Sequence, residues 1–321
     1  MMVQKAKLIA LSLVISLAAS VSFGRAQDQN EEYQKQLEEW EKKKEAIEKE
    51  NEAKLSKSKE DKAENDKKRA LNDGNTLLKS GRNEDALAAY NEALGIDSTF
   101  SVAHYGKGLA LKNLRRYPEA VSAYKAAVRH DKTYAQAYFA LGNIYTQLEK
   151  HQEAIAVYDQ AIANDPKSSK AYYQRGKSYL DLGKAKEAIE SFRAATQIDP
   201  QYDTAYYSMG VAMVKQGQLE EAINAFESSV ALKESELTYY KLAETYNKLN
   251  RADEALTAAE NGLKKKPGFA PAAFEAGIAL KALNRYNEAI QKFQIAERDS
   301  KWKQSAVYQI EDINRIRGEG D

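Results

Sequence analysis

Apolar residues in this chain keep helical spacing in short runs, and the runs recur with a period of about 34 residues. Between Ala135 and Ser168, Tyr138, Leu141, Gly142 and Tyr145 fall at i, i+3, i+4 and i+7, one face of a helix. Glu149-Lys150-His151 breaks the run. A second run then carries Ala154, Ile155, Tyr158, Ala161 and Ile162 at the same spacing. Asp165-Pro166 ends it, because the residue before a proline is pushed out of helical geometry. Each period therefore predicts two helices and two short turns, a helix–turn–helix hairpin.

Gly142 and Ala154 act as a ruler for counting copies. Stepping by 34 places Gly74, Gly108, Gly142, Gly176 and Gly210 in line; after one lost residue the series resumes at Ala243 and Gly277. Twelve residues beyond each anchor stand Ala86, Ala120, Ala154, Ala188, Ala222, Ala255 and Ala289. Seven in-phase copies predict a solenoid in which each unit buries its apolar face on the next. The small residues predict close approach of the paired helix backbones. Seven residues after the anchor come Gly81, Gly183, Gly217, Asn250 and Asn284, residue types that tolerate the left-handed conformation closing a helix. Arg115 and Glu149 interrupt that series, so their turns are expected to be costlier.

The string Tyr138-Leu141-Gly142-Tyr145-Ala154-Tyr158-Ala161-Pro166 carries a family pattern: an aromatic four before the glycine, Leu-Gly, an aromatic three later, then Ala, an aromatic, Ala and Pro. On these residues the chain resembles the tetratricopeptide repeat family, over residues 67–303. Departures are Asp73 and Ser98 in the first copy, His104 and Lys132 in the second, Arg175 in the fourth, and Ala243 with Ala259 in the sixth. The resemblance implies an all-α, right-handed superhelical solenoid whose first helices line a concave groove. It further implies a scaffold that holds partners and performs no chemistry.

The two ends differ from the repeats. Residues 1–26 read as a signal peptide: Lys5 and Lys7 precede an uncharged run from Leu8 to Phe23, and Gly24-Arg25-Ala26 offers a cleavage point before Gln27. An uncleaved anchor is the alternative, although the run is shorter than the roughly 20 residues a span needs. Residues 27–66 read as a charged helical stalk or short coiled coil. From Asp28 to Arg69, 26 of 42 residues are charged and Gly and Pro are absent, while Tyr33, Leu37, Trp40 and Ile47 follow a 4-3-7 spacing. Homo-oligomerisation through residues 33–47 is one expectation; a solvated monomeric helix is the other. Residues 304–321 supply Val307, Ile310, Ile313 and Ile316 at three-residue spacing, a capping helix for the last repeat.

Charge and chemistry narrow the function. Without the leader the chain carries 45 basic and 47 acidic residues, a balance that argues against a nucleic-acid or polybasic membrane role. With no cysteine and only His104, His130 and His151, no metal site is spaced for, and no cofactor or catalytic motif is expected. A cysteine-free exported chain suits a bacterial periplasm or cell envelope.

In the resembled fold, residues six, three and two before the anchor, and one, four and five after it, face the groove. Three before the anchor stand Leu71, Tyr105, Phe139, Tyr173, Tyr207, Tyr240 and Phe274, either an aromatic ladder on the inner wall or packing between hairpins. The remaining groove sites hold nine lysines (Lys68, Lys79, Lys112, Lys170, Lys177, Lys215, Lys241, Lys248, Lys281) against Asp181, Glu244 and Glu275. Asn75 and Asn143, one after their anchors, are candidates for bonding a ligand backbone. These residues predict a protein or peptide partner of acidic character; an acidic carbohydrate or cell-wall polymer is the alternative. The chaperone-binding version of the family places a lysine where Leu71 stands, so that partner is not expected.

Overall fold

The computed structural model describes residues 26–318, with side chains from residue 32 onward. Residues 1–25 of the expected leader lie outside the described residues. Among the described residues every regular element is an α-helix. The described residues up to Arg69 fall in one unit, and those from Ala70 onward in another. The first helix, α1 (Ala26–Lys79), begins in the first unit, and its last turns open the repeats.

In the first unit Leu37, Trp40, Ile47 and Leu55 are all exposed. Lys49 pairs with Glu45 and Lys54 with Glu50, each at 2.6 Å and four residues apart. Such pairs contribute about 0.2–0.5 kcal/mol each. Helix propensity and these pairs support this segment locally, because no core is available to it.

The second unit stacks hairpins in chain order. The end of α1 pairs with α2 (Asn83–Ile96), α3 (Ser101–Asn113) with α4 (Tyr117–His130), and α5 (Ala135–Gln147) with α6 (His151–Asn164). Then α7 (Ser169–Asp181) pairs with α8 (Ala185–Ile198), α9 (Asp203–Lys215) with α10 (Leu219–Leu232), α11 (Glu236–Lys248) with α12 (Ala252–Lys265), and α13 (Ala270–Ala282) with α14 (Tyr286–Glu297). The last helix is α15 (Lys303–Arg317).

The anchors are packing residues, but the reason differs from the one expected. A methyl group on Gly142 would lie 2.5 Å from Cε1 of Tyr158, and the other anchor glycines meet Tyr90, Tyr124, Phe192, Phe226 and Phe293 as closely. The glycine thus makes room for an aromatic ring from the second helix of its own hairpin; the close approach is ring to backbone rather than backbone to backbone. Ala86, Ala120, Ala154, Ala188, Ala222, Ala255 and Ala289 are all fully buried. The sixth copy now makes sense as one coordinated change. Its anchor carries a methyl, Ala243, and the ring that methyl would strike is replaced by Ala259; both are fully buried.

All seven turns close as the spacing requires. Gly81, Arg115, Glu149, Gly183, Gly217, Asn250 and Asn284 have φ between 56° and 77°. Each is followed by a bond that closes the helix end, such as Arg116 N–H to Leu111 O at 2.9 Å and Lys150 N–H to Tyr145 O at 2.8 Å. The lost residue of the sixth copy falls in the turn between α10 and α11, which has three residues where the other inter-hairpin turns of the repeats have four.

The terminal helix continues the repeat register. Its Ala306 and Ile313 are fully buried, while Tyr308 and Ile316 stay exposed. Trp302 precedes α15 at the N-cap site, where Tyr134, Tyr202 and Phe269 precede α5, α9 and α13. Glu311 holds the place where the repeats have their small anchor. A carboxylate at that site blocks packing of another ring and leaves the outer face polar.

Candidate partner-binding groove

Contacts between successive hairpins show which positions share a face. Asn247, four after its anchor, donates Nδ2–H to the Glu275 carbonyl at 3.0 Å and to Glu275 Oε2 at 2.8 Å, two before the next anchor. Lys281 repeats the step, donating to Gln309 Oε1 at 2.6 Å and to Asp312. Positions two before, one after and four after the anchor therefore line one continuous surface along the first helices. The position five after the anchor lies at its rim, because it reaches the start of the previous hairpin's second helix. Asn113 bonds Asn83 at 3.0 Å, Gln147 bonds the Tyr117 hydroxyl at 2.6 Å, and Asp181 lies 3.7 Å from His151 Nδ1.

The ladder residues Tyr105, Phe139, Tyr173, Tyr207, Tyr240 and Phe274 are all half-buried. Five of them pack, tilted or edge-on, on the hairpin ring of their own copy: Tyr124, Tyr158, Phe192, Phe226 and Phe293, with centroids 5.4–6.0 Å apart. Tyr240 has no such ring, since Ala259 stands there. It meets Phe269 and Trp302 edge-on, each at 6.3 Å. Tyr105, Tyr173 and Tyr240 also reach the entry of the next hairpin, at Tyr134, Tyr202 and Phe269, so only the remaining surface of the ladder is open to a ligand. Burial pushes the hydroxyls of Tyr105, Tyr207 and, most strongly, Tyr240 above the usual range.

Asn75 and Asn143 have a partner already. The hydroxyl of Tyr90 donates to Asn75 Oδ1 and that of Tyr158 to Asn143 Oδ1, both at 2.8 Å. Their Oδ1 atoms thus satisfy buried hydroxyls, which leaves the Nδ2–H donors of each amide for a ligand backbone, and burial holds both phenols up at about 12. The pairing follows a rule visible only once the copies are aligned. Copies whose ring is Phe192, Phe226 or Phe293 carry Lys177, Val211 or Ile278 after the anchor. Tyr124 is the exception: Leu109 offers no acceptor, and its buried hydroxyl has no partner among the described residues.

The lysines divide into two sets. Lys241 and Lys248 both donate to Glu244, at 2.7 and 2.8 Å, and Lys281 is held by Gln309 and Asp312. Lys68 pairs with Glu64 at 3.3 Å. Lys79, Lys112, Lys170, Lys177 and Lys215 make no ion pair among the described residues, and all are exposed. Glu275 is nearly buried, and burial, reinforced by nearby Glu244, raises its carboxyl to about 7 despite the bond from Asn247. Sequence spacing alone missed this Glu275–Asn247 pair, and missed Trp302, whose signal was its place at the entry to a helix in repeat register.

No metal-holding cluster of His, Asp or Glu is present among the described residues. His104 and His130 stack at 5.5 Å, and burial is the main cause depressing the His104 pKa. Arg175, which stands where the pattern has leucine, bonds Asp159 at 2.7 Å and Ser191 at 3.2 Å, tying three helices together through polar contacts. Among the described residues no helix is long and apolar enough to cross a membrane.

Comparison with known proteins agrees with this geometry. Family models described as tetratricopeptide repeat match residues 105–169, 157–190, 203–236 and 240–303, and one described as TPR repeat matches 74–114 and 176–217. No match was found among curated proteins. Among solved structures, that of the MamA protein is 27% identical with a TM-score of 0.50, covering 53% of this chain and 92% of MamA. The structure of Pseudomonas aeruginosa pilF is 16% identical with a TM-score of 0.55, covering 65% of this chain and 96% of that one, a likeness of fold alone. Matches running from residue 74 to 236 and from 240 to 303 show that this chain belongs to the tetratricopeptide repeat family, whose members are protein-interaction scaffolds.

Proposed function

We propose that this protein is a non-enzymatic adaptor of a bacterial cell envelope, exported by residues 1–26, which holds an extended acidic segment of a partner protein in its concave groove. The observation that carries the reading is the set of five exposed, unpaired lysines, Lys79, Lys112, Lys170, Lys177 and Lys215, on the groove face and rim beside the aromatic ladder. Free ammonium groups over a partly apolar wall suit carboxylates on an extended backbone. The tilted packing of ladder rings on hairpin rings leaves few open faces, which weighs against stacked sugars as the ligand.

Capture from envelope extracts by the purified repeats tests this reading. Retained prey should be protein, should be lost on prior proteolysis of the extract, and should elute with salt. Prey that survives proteolysis counts for the polysaccharide alternative. Capture unchanged by Tyr173→Ala with Tyr207→Ala removes the groove from the explanation. Export is tested separately: the mature protein should begin at Gln27, read by N-terminal mass spectrometry of an envelope fraction.

A further inference from the structure

We infer that the groove binds its ligand along copies two to five and not along the last two, and that the ligand is a segment of about ten residues, acidic at its first, seventh and tenth positions and uncharged between them. This rests on the groove reading above.

The last two copies are already occupied by the protein's own groups. Glu244 takes hydrogen bonds from Lys241 and Lys248, Glu275 takes one from Asn247, and Lys281 is held by α15. Trp302 sits against Phe274 at 4.9 Å and against Tyr240 at 6.3 Å. A ligand carboxylate there displaces an existing carboxylate and gains nothing net. The sign of the wall also changes along its length: one after the anchor, the fourth copy presents Lys177 and the sixth presents Glu244.

Copies two to five offer the opposite, since their one acidic groove site, Asp181 at the rim, lies against His151 at 3.7 Å. Lys112 in the second copy, Lys170 and Lys177 in the fourth and Lys215 at the rim of the fifth are exposed and unpaired. The third copy between them contributes Gln136, Ala140, Asn143 and Thr146, with no charge. Packed helices stand about 10 Å apart, and an extended chain advances about 3.3 Å per residue. One copy therefore accommodates about three ligand residues. From the second copy to the fourth is about six residues, and to the fifth about nine. Carboxylates matched to the lysines fall at the first, seventh and tenth positions of the ligand, or at the mirrored positions if it runs the other way.

The test uses the full chain and two fluorescein-labelled decapeptides of one composition. One carries glutamate at its first, seventh and tenth positions, with Ala, Ser and Thr elsewhere; the other carries its three glutamates together at the centre. Fluorescence anisotropy should show tighter binding of the peptide with spaced glutamates. Lys112→Ala/Lys170→Ala/Lys177→Ala should weaken it about tenfold, about twofold for each exposed lysine removed, while Lys241→Ala/Lys248→Ala should leave it unchanged. Equal or tighter binding of the centre-charged peptide overturns the inference, as does no binding of either, or equal sensitivity to the Lys241/Lys248 variant. That comparison on the unmodified protein does not depend on any variant folding. If Tyr173→Ala/Tyr207→Ala abolishes binding while the lysine variant does not, the charge register fails and the groove reading survives. If neither variant matters, both fail.

Discussion

Replacing Gly142 with alanine should destabilise the protein when Tyr158 is present and stabilise it when Tyr158 is absent. The added Cβ would lie 2.5, 2.7 and 2.9 Å from Cε1, Cδ1 and Cζ of a fully buried ring. Comfortable carbon contacts are about 3.5–4.0 Å, so the overlap is roughly 1 Å. The ring cannot swing away without losing its bond to Asn143 Oδ1 at 2.8 Å. Overpacking of this kind costs about 1–3 kcal/mol, and the better helix propensity of alanine returns up to about 1 kcal/mol. Gly142→Ala should therefore cost about 1–2 kcal/mol. Tyr158→Ala alone should cost about 3–5 kcal/mol through the cavity it leaves. In that background the Gly142 methyl meets empty space and should recover about 1 kcal/mol, giving a coupling of about 2–3 kcal/mol. The double variant rebuilds the Ala243/Ala259 arrangement of the sixth copy. Urea unfolding followed by circular dichroism supplies the midpoints, and hydrogen exchange in α5 and α6 localises the effect, since repeat arrays depart from two-state behaviour. Additivity within about 0.5 kcal/mol, or a stabilising Gly142→Ala in the unmodified chain, would refute the size-complementarity argument.

Three further outcomes are expected. Tyr124→Phe should be neutral or stabilising by up to about 1 kcal/mol, because it removes an orphaned buried hydroxyl, whereas Tyr158→Phe should cost about 1 kcal/mol by stranding Asn143; thermal melts of the two variants compare them directly, and the reverse order would overturn the assignment. Arg115→Gly and Glu149→Gly should each raise stability by about 1 kcal/mol, since both side chains occupy left-handed backbone at φ 60° and 58°; unchanged or lowered melting temperatures would count against strain at these turns. Glu275→Gln should stabilise increasingly as pH rises. The folded carboxyl is held near 7 against an ordinary 4.5, so the folded state binds the extra proton. Stability is then greatest below about 4.5 and falls as pH climbs through 7, by up to about 3 kcal/mol at the limit. Equal gains from Glu275→Gln at pH 5 and pH 8 would contradict that burial.

Much of the architecture could be read in advance because it is written in local spacing. A helix face is set by residues three and four apart, and a left-handed turn by a single residue seven after the anchor, so the copies, their hairpins and Gly81, Gly183, Gly217, Asn250 and Asn284 were all accessible by counting. Even the misfit Arg115 and Glu149 take the conformation their position demands. The first and second helices of a hairpin meet over 16 residues, Gly142 to Tyr158, a separation at which local spacing does not distinguish ring-to-backbone from backbone-to-backbone contact. Two departures counted separately in the sixth copy, Ala243 and Ala259, prove to be the two halves of one packing exchange.

Helical periodicity alone fixes the repeat, its register and therefore the row of side chains that shares a face. Which members of that row are free depends on how the helices pack. Lys281 and Asp312 are 31 residues apart, Asn247 and Glu275 28, and Asn75 and Tyr90 15. Partners at those separations are brought together by the rotation of one helix against the next, which depends on how rings and small residues interlock across the hairpin. Lys177 and Lys248 look alike along the chain, yet the first is unpaired and the second is bound to Glu244, because an ion pair depends on what packing brings within reach.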